Sequence, residues 1–228
     1  MEKPVYYILS GLGADERVFD RIDFGVYEPV FIPWEPVQTG QSFESYVKQL
    51  TKQVQASTPV LIGISFGGIV AQEMSALLNN CPVLILASVQ TRASLPFWMK
   101  AGGKIGLQKL MPVKTLLRNK KGNHWFFGTK TTEEHAILDQ ILADSDPLFT
   151  KWAIHQIVTW KRRTPVSSEV LHIHGSKDRI FNIKKVHPDY IVEGGTHFMT
   201  VSKPEELSQI IQRALNKLSR EIITPNYL

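Results

Sequence analysis

The stretch Val60-Leu61-Ile62-Gly63-Ile64-Ser65-Phe66-Gly67-Gly68 joins an apolar run to a Gly-x-Ser-x-Gly pattern, and a helical pattern follows it. In chain order this reads as a strand, a sharp turn and a helix, with a serine at the tip of the turn. A bend that tight forces backbone torsions that nearby side chains would obstruct. Glycine two positions before and two positions after the serine clears the space. Gly68 gives the following helix room to approach the sheet. A plain tight turn would use the same glycines, so the pattern draws its meaning from the rest of the chain.

Outward from this stretch, apolar runs recur at Val5–Leu9, Pro29–Ile32, Val60–Ile64, Val83–Ala87, Val170–Ile173 and Tyr190–Val192. They are nearly continuous, as strands covered on both faces must be. Between them, Phe43, Tyr46, Val47, Leu50 and Val54 fall at helical spacing within residues 42–54. Leu207, Ile210, Ile211, Ala214, Leu215 and Leu218 form a second apolar stripe. Ser202, three residues before Glu205, predicts a capping box at the start of that helix. Repeated strand–helix–strand units predict a parallel sheet with right-handed crossovers.

The alternation stops after Ala87. Residues 91–165 show helical stretches and no strand pattern, and they hold four of the five tryptophans. Pro96, Pro112 and Pro147 punctuate the segment. It reads as a helical insertion folded over the sheet. Its aromatic side chains either form the insertion's own core or line an apolar acyl or aryl pocket. For the pocket, the candidates are Trp98, Trp125, Phe126 and Trp152.

Bulk composition narrows the class. The chain has 228 residues, of which 43% are hydrophobic and 21% charged, ordinary values for a globular protein. The single cysteine, Cys81, excludes an internal disulfide and a Cys-based metal site, and its place before an apolar run predicts a buried, inert thiol. The first apolar run is too short for a signal-peptide core, and no stretch approaches the ~18 apolar residues of a membrane span. A cytoplasmic location with no integral membrane segment is therefore expected. The net charge of +5 is uneven, since residues 91–165 carry 13 Lys and Arg against 5 Asp and Glu. These cations are scattered and form no nucleic-acid-binding motif, so no nucleic-acid partner is expected. A solvated helix surface, an anionic substrate and a membrane surface all accommodate them.

A serine becomes a nucleophile only beside a base, and the base needs an orienting acid. In a parallel sheet the three converge in loops beyond the carboxyl ends of the strands. Of the seven histidines, only His197 lies in the loop after the last apolar run. His187 stands before that run, His172 and His174 within or at the tip of the preceding one, and His124, His135 and His155 in the insertion. By the same rule Asp178, in His174-Gly175-Ser176-Lys177-Asp178, is the acid, whereas Asp189 lies at the wrong end. The N–H of Phe66 follows the serine and opens a helix, where donors are free and the dipole favours negative charge. The loop Ser10-Gly11-Leu12-Gly13 offers a second donor, assigned to Leu12.

Together these pieces resemble the α/β-hydrolase family. Ser10-Gly11-Leu12-Gly13, Gly63 to Gly68, His174 to Asp178 and Gly195-Thr196-His197-Phe198 occur in that family's order of Ser, Asp and His. The resemblance covers residues 1–90 and 166–228, the hydrolase core, and places residues 91–165 where the family carries its helical cap. It implies a three-layer α/β/α sandwich with a mostly parallel sheet of about six strands, ordered 2-1-3-4-5-6. Two departures stand out. Ser10-Gly11 replaces the family's frequent His-Gly after the first strand, and the chain begins directly at that strand, without the family's two leading edge strands. The implied function is a serine hydrolase that cleaves a small carboxylic ester or thioester through an acyl-enzyme on Ser65, with no metal and no organic cofactor. The alternatives are an acyltransferase or a C–C bond hydrolase on the same residues, or a ligand-binding sensory protein with little turnover.

Overall fold

The computed structural model describes residues 3–110 and 112–223. Its strands are β1 (Val5–Leu9), β2 (Val30–Phe31), β3 (Pro59–Ile64), β4 (Val83–Leu86), β5 (Val170–Gly175) and β6 (Tyr190–Val192). All neighbours pair in parallel, and the sheet order is β2-β1-β3-β4-β5-β6. The order reverses between β1 and β3, so the loops after these two strands leave a crevice at the carboxyl end of the sheet.

Side-chain alternation divides the strands between two cores. Tyr6, Ile8, Val60, Ile62, Leu84 and Leu86 face α9 (Pro204–Ile223), which presents Leu207, Ile211, Leu215 and Leu218 to them. Tyr7, Leu9, Leu61, Val83 and Ile85 face α1 (Phe43–Leu50) and α2 (Phe66–Leu77). Because both faces are covered, both phases of each strand are apolar. Each fully buried Val, Leu or Ile contributes roughly 1.5–3 kcal/mol, so these two cores hold the loops beyond the strands on a rigid base.

The capping box expected at Ser202 is not formed. Ser202 ends a separate short helix, α8 (Met199–Ser202), and Lys203 leaves the helical region at φ −144°, ψ 46°. Proline excludes helical torsions from the residue before it, and its missing N–H is harmless at a first helical position. Pro204 therefore overrides the weaker Ser–Glu signal and starts α9 itself. At α1 the local signal prevails, and the Ser42 side chain accepts from Ser45 N–H.

Between β4 and β5 run α3 (Phe97–Ile105), α4 (Val113–Arg118), α5 (Lys120–Phe127), α6 (Thr132–Asp144) and α7 (Pro147–Thr159), with no strand among the described residues. Gly106 and Gly128 end α3 and α5 in the left-handed conformation. Leu138, Ile141 and Leu142 of α6 join the core under α9, while Phe149 and Ala153 of α7 join the core of α1 and α2. These helices thus pack against the sheet's own cores. Among the described residues, no helix is long and apolar enough to cross a membrane.

Candidate active site

Ser65 occupies the bend between β3 and α2 at φ 53°, ψ −117°. A non-glycine residue held there costs about 1–3 kcal/mol. Surrounding contacts enforce the bend. Ser65 N–H donates to the Leu86 carbonyl at 2.9 Å, and the Ser65 carbonyl accepts from Ser88 Oγ at 2.7 Å and from Gly68 N–H at 3.1 Å. The flanking glycines are required by contact. A Cβ on Gly63 would lie 2.3 Å from the Gly67 carbonyl oxygen, and one on Gly67 would lie 2.2 Å from that of Ser10.

His197 and Asp178 approach from the loops after β6 and β5. Those loops are joined by Ser176 N–H to the Val192 carbonyl at 3.0 Å and Lys177 N–H to the Gly195 carbonyl at 2.8 Å. Gly175 makes the approach possible, since a Cβ there would come within 2.4 Å of the Gly195 oxygen. The apolar run before Asp178 ends at Ile173, but β5 continues to Gly175, because pairing with β6 extends through Gly175 and Val192, and Asp178 lies three residues past the strand.

The three side chains form one hydrogen-bonded row. His197 Nδ1 lies 2.8 Å from Asp178 Oδ2, and His197 Nε2 lies 2.9 Å from Ser65 Oγ. A carboxylate only accepts, so the neutral imidazole carries its proton on Nδ1 and turns the Nε2 lone pair toward the serine hydroxyl. His197 and Asp178 are both buried. The rings of Phe127 and Phe181 meet the imidazole edge-on at 5.6 Å each and restrict water around it. Burial pushes the Asp178 carboxyl up, but His197 and the Phe181 N–H more than offset this, and the group is held below the ordinary carboxylate range. Its Oδ1 accepts from Ile180 N–H at 2.7 Å and Phe181 N–H at 2.9 Å.

A second histidine chain lies behind the acid. His174 Nε2 donates to the Phe181 carbonyl at 2.8 Å and stands 3.5 Å from Asp178 Oδ2. With that nitrogen protonated, His174 Nδ1 accepts from His172 Nε2 at 3.1 Å. Burial pushes both imidazoles down, His172 to about 3; His174 further depresses the charging of His172, and His197 that of His174. Below the ordinary histidine value of 6.5 an unfolded chain takes up a proton at His172 that the folded chain refuses. Stability therefore falls as pH drops from that value toward about 3, with a slope of about 1.4 kcal/mol per pH unit from this group. Urea unfolding across that range should show a shallower acid loss for His172→Gln than for the native chain. Superimposable pH profiles would refute the assignment.

The other ionisable candidates lie elsewhere. Asp189 accepts from His172 N–H at 2.8 Å, and His187 is exposed. His124 pairs with Asp139 and stacks on His135, and His155 bonds Gln108. Among the described residues, no group of three or more His, Cys, Asp or Glu side chains converges as a metal site requires.

A cavity of about 320 Å³ opens onto Ser65 and His197. Gly11 and Leu12 line it, and a Cβ on Gly11 would sit 3.5 Å from that of Ser65. Within the described residues, the N–H groups of Leu12 and Phe66 make no hydrogen bond to protein. Ile64, Leu138, Ile141, Ile154 and Ile157 make most of the remaining wall apolar. Thr150 and Thr200 also line it, and their buried hydroxyl oxygens have no partner among the described residues.

Of the four expected pocket aromatics, Trp98 and Phe126 line this cavity. Trp152 does not. It packs among Phe43, Tyr46, Phe66 and Phe149, and its ring N–H reaches the Gln41 carbonyl at 2.9 Å. Trp125 is more than half exposed and lies under the Arg179 guanidinium at 5.0 Å. The sequence reading missed Phe127 and Phe181. Phe127 directly follows the chosen Phe126 and both line the cavity, but it is Phe127, one position further round the helix, whose ring meets His197.

No protein-family model and no curated protein sequence matches the chain. Solved structures do. An N-acyl homoserine lactonase complexed with N-butanoyl homoserine superposes with a TM-score of 0.71 at 14% identity, covering 96% of this chain and 90% of that one. A thermophilic esterase from Thermogutta terrifontis gives 0.68 at 15%, covering 96% and 91%. A bromoperoxidase from Bacillus anthracis gives 0.64 at 16%, covering 95% and 92%. The chain has the α/β-hydrolase fold.

Proposed function

We propose that the protein is a serine hydrolase that cleaves a small carboxylic ester or thioester through an acyl-enzyme. One observation carries this reading: the continuous row from buried Asp178 through His197 to Ser65 Oγ at the mouth of an apolar cavity. The lactonase and esterase among the structures of like fold are in keeping with it.

In this mechanism Ser65 Oγ bonds to the substrate carbonyl carbon while its proton passes to His197 Nε2. The carbonyl π pair moves onto oxygen, which the Leu12 and Phe66 N–H groups receive. Asp178 stabilises the imidazolium and keeps the Nδ1 proton in place. Collapse of the tetrahedral intermediate breaks the bond to the leaving group, which departs with the Nε2 proton. Water then repeats the sequence, with His197 taking its proton, and releases the acid. Neither the role of the residues nor the reaction requires a metal or an organic cofactor.

The volume and lining of the cavity suit a short apolar acyl or aryl group. The unpartnered hydroxyls of Thr150 and Thr200 offer hydrogen bonds to a further oxygen of the substrate. Residues 91–165 serve as a cap on a core of residues 1–90 and 166–228, with Trp98 and Phe126 facing the substrate. The substrate is a small molecule, and no nucleic acid takes part.

A fluorophosphonate probe tests the reading. The native protein should gain one adduct, mapped to Ser65, and Ser65→Ala and heat-denatured protein should gain none. Folded native protein that stays unlabelled would favour a ligand-binding protein on the same fold.

A further inference from the structure

The outer surface of α3 to α5 is unusual in two respects that coincide. First, it is apolar where nothing covers it. On α3, residues 97, 98, 101, 104 and 105 fall on one side of the helix. Of these, Phe97 is 74% exposed and Ile105 77%, and Leu110 in the next turn is 83% exposed. Trp98, Trp125 and Phe126 continue the surface, with ring centroids 6.3 Å and 5.0 Å apart. Second, residues 91–132 contain nine Lys and Arg and no Asp or Glu. Asp139 of α6 reaches into this surface and pairs with Lys120. Among the described residues, Lys104, Lys109, Lys114, Arg118 and Lys121 take part in no ion pair.

We propose that this surface docks on an anionic lipid bilayer, with aliphatic and aromatic side chains in the outer acyl region and the lysines among the headgroups. The pairing of features selects the occupant. Exposed apolar side chains ringed by flexible cations suit an interface that is hydrocarbon within and negative at its edge. A second copy of the same surface would oppose unpaired cations to unpaired cations. Single-stranded nucleic acid would use the rings and cations, but leaves Ile105, Leu107 and Leu110 in water.

The position of the surface adds a consequence. Trp98 and Phe126 belong both to this exposed surface and to the wall of the cavity at Ser65. A docked molecule therefore opens its cavity toward the lipid, and an amphiphilic ester could enter without crossing water. That second statement rests on the hydrolase reading, whereas docking does not.

The test separates the two by using Ser65→Ala protein. Its sedimentation with vesicles of phosphatidylcholine alone is compared with vesicles that also contain phosphatidylglycerol. Binding is expected only to the anionic vesicles, weakening as salt is raised. Reversing two charges with Lys104→Glu and Lys109→Glu should weaken it by about a hundredfold or more. Replacing Phe97, Ile105 and Leu110 by serine should weaken it at least tenfold, or about 1.4 kcal/mol. Both sets should keep the circular-dichroism spectrum and urea-unfolding midpoint of the Ser65→Ala protein, which shows that they fold. Bromine-labelled acyl chains should quench Trp98 and Trp125 fluorescence. No binding to anionic vesicles, equal binding to both kinds, or native affinity in either variant overturns the proposal. So does capture of a single-stranded oligonucleotide in place of the vesicles.

Discussion

Replacing Ser65 by alanine should lower kcat for a soluble ester by on the order of 10⁶, with KM little changed. The argument is local. In the proposed mechanism the Oγ is the atom that bonds to carbon, and no other hydroxyl is hydrogen-bonded to His197 in the described structure. The cavity wall and both free N–H groups survive the change, so substrate still binds and residual catalysis above water persists. Folding should survive too, because the Ser65 contacts to Leu86, Ser88 and Gly68 all use backbone atoms of residue 65. Steady-state kinetics on purified protein would decide it. A kcat within about tenfold of the native value would remove Ser65 from the chemistry.

Asp178→Asn should cost on the order of 10⁴ in kcat, for a reason that the hydrogen bonds dictate. Oδ1 receives two backbone N–H groups, from Ile180 and Phe181. An amide at this position must keep its oxygen there, so its NH₂ is turned toward His197. Nδ1 then has to accept, the imidazole proton moves to Nε2, and the base presents N–H where Ser65 needs a lone pair. The change is almost isosteric, so the fold should hold. Retention of the fluorophosphonate labelling rate in this variant would mean that Asp178 does not orient the imidazole.

Much of this architecture is legible in the sequence because it rests on contacts made by few residues. Gly63, Gly67 and Gly175 have no room for a side chain, and their spacing marks the serine bend and the loop before Asp178. The two-sided burial of β3 and β4 explains why their runs are uninterrupted. What the sequence hides depends on competition or on rotation. Pro204 silences the Ser202 capping signal. Trp98 and Trp152 look alike in sequence, yet one lines the cavity and the other packs against the core of α1 and α2, because that depends on which neighbouring helix each ring meets. The His172–His174 pair was equally hidden. Both residues lie on one face of β5, but only the return of the chain at Phe181 supplies the carbonyl that orders their protons.

The helices between β4 and β5 leave from Leu86 and rejoin the sheet at Val170, and these two strands are direct neighbours. For a flexible chain, doubling the length of such an excursion raises the closure entropy by only about 0.6 kcal/mol. In closure entropy alone, the sheet that fixes Ser65, Asp178 and His197 is thus nearly indifferent to how much chain passes between those two points, provided that Leu138, Ile141, Leu142, Phe149 and Ala153 still fill its cores. Over evolutionary time the excursion can lengthen or shorten between its core-filling residues, changing what reaches the serine while the loops beneath it keep their places.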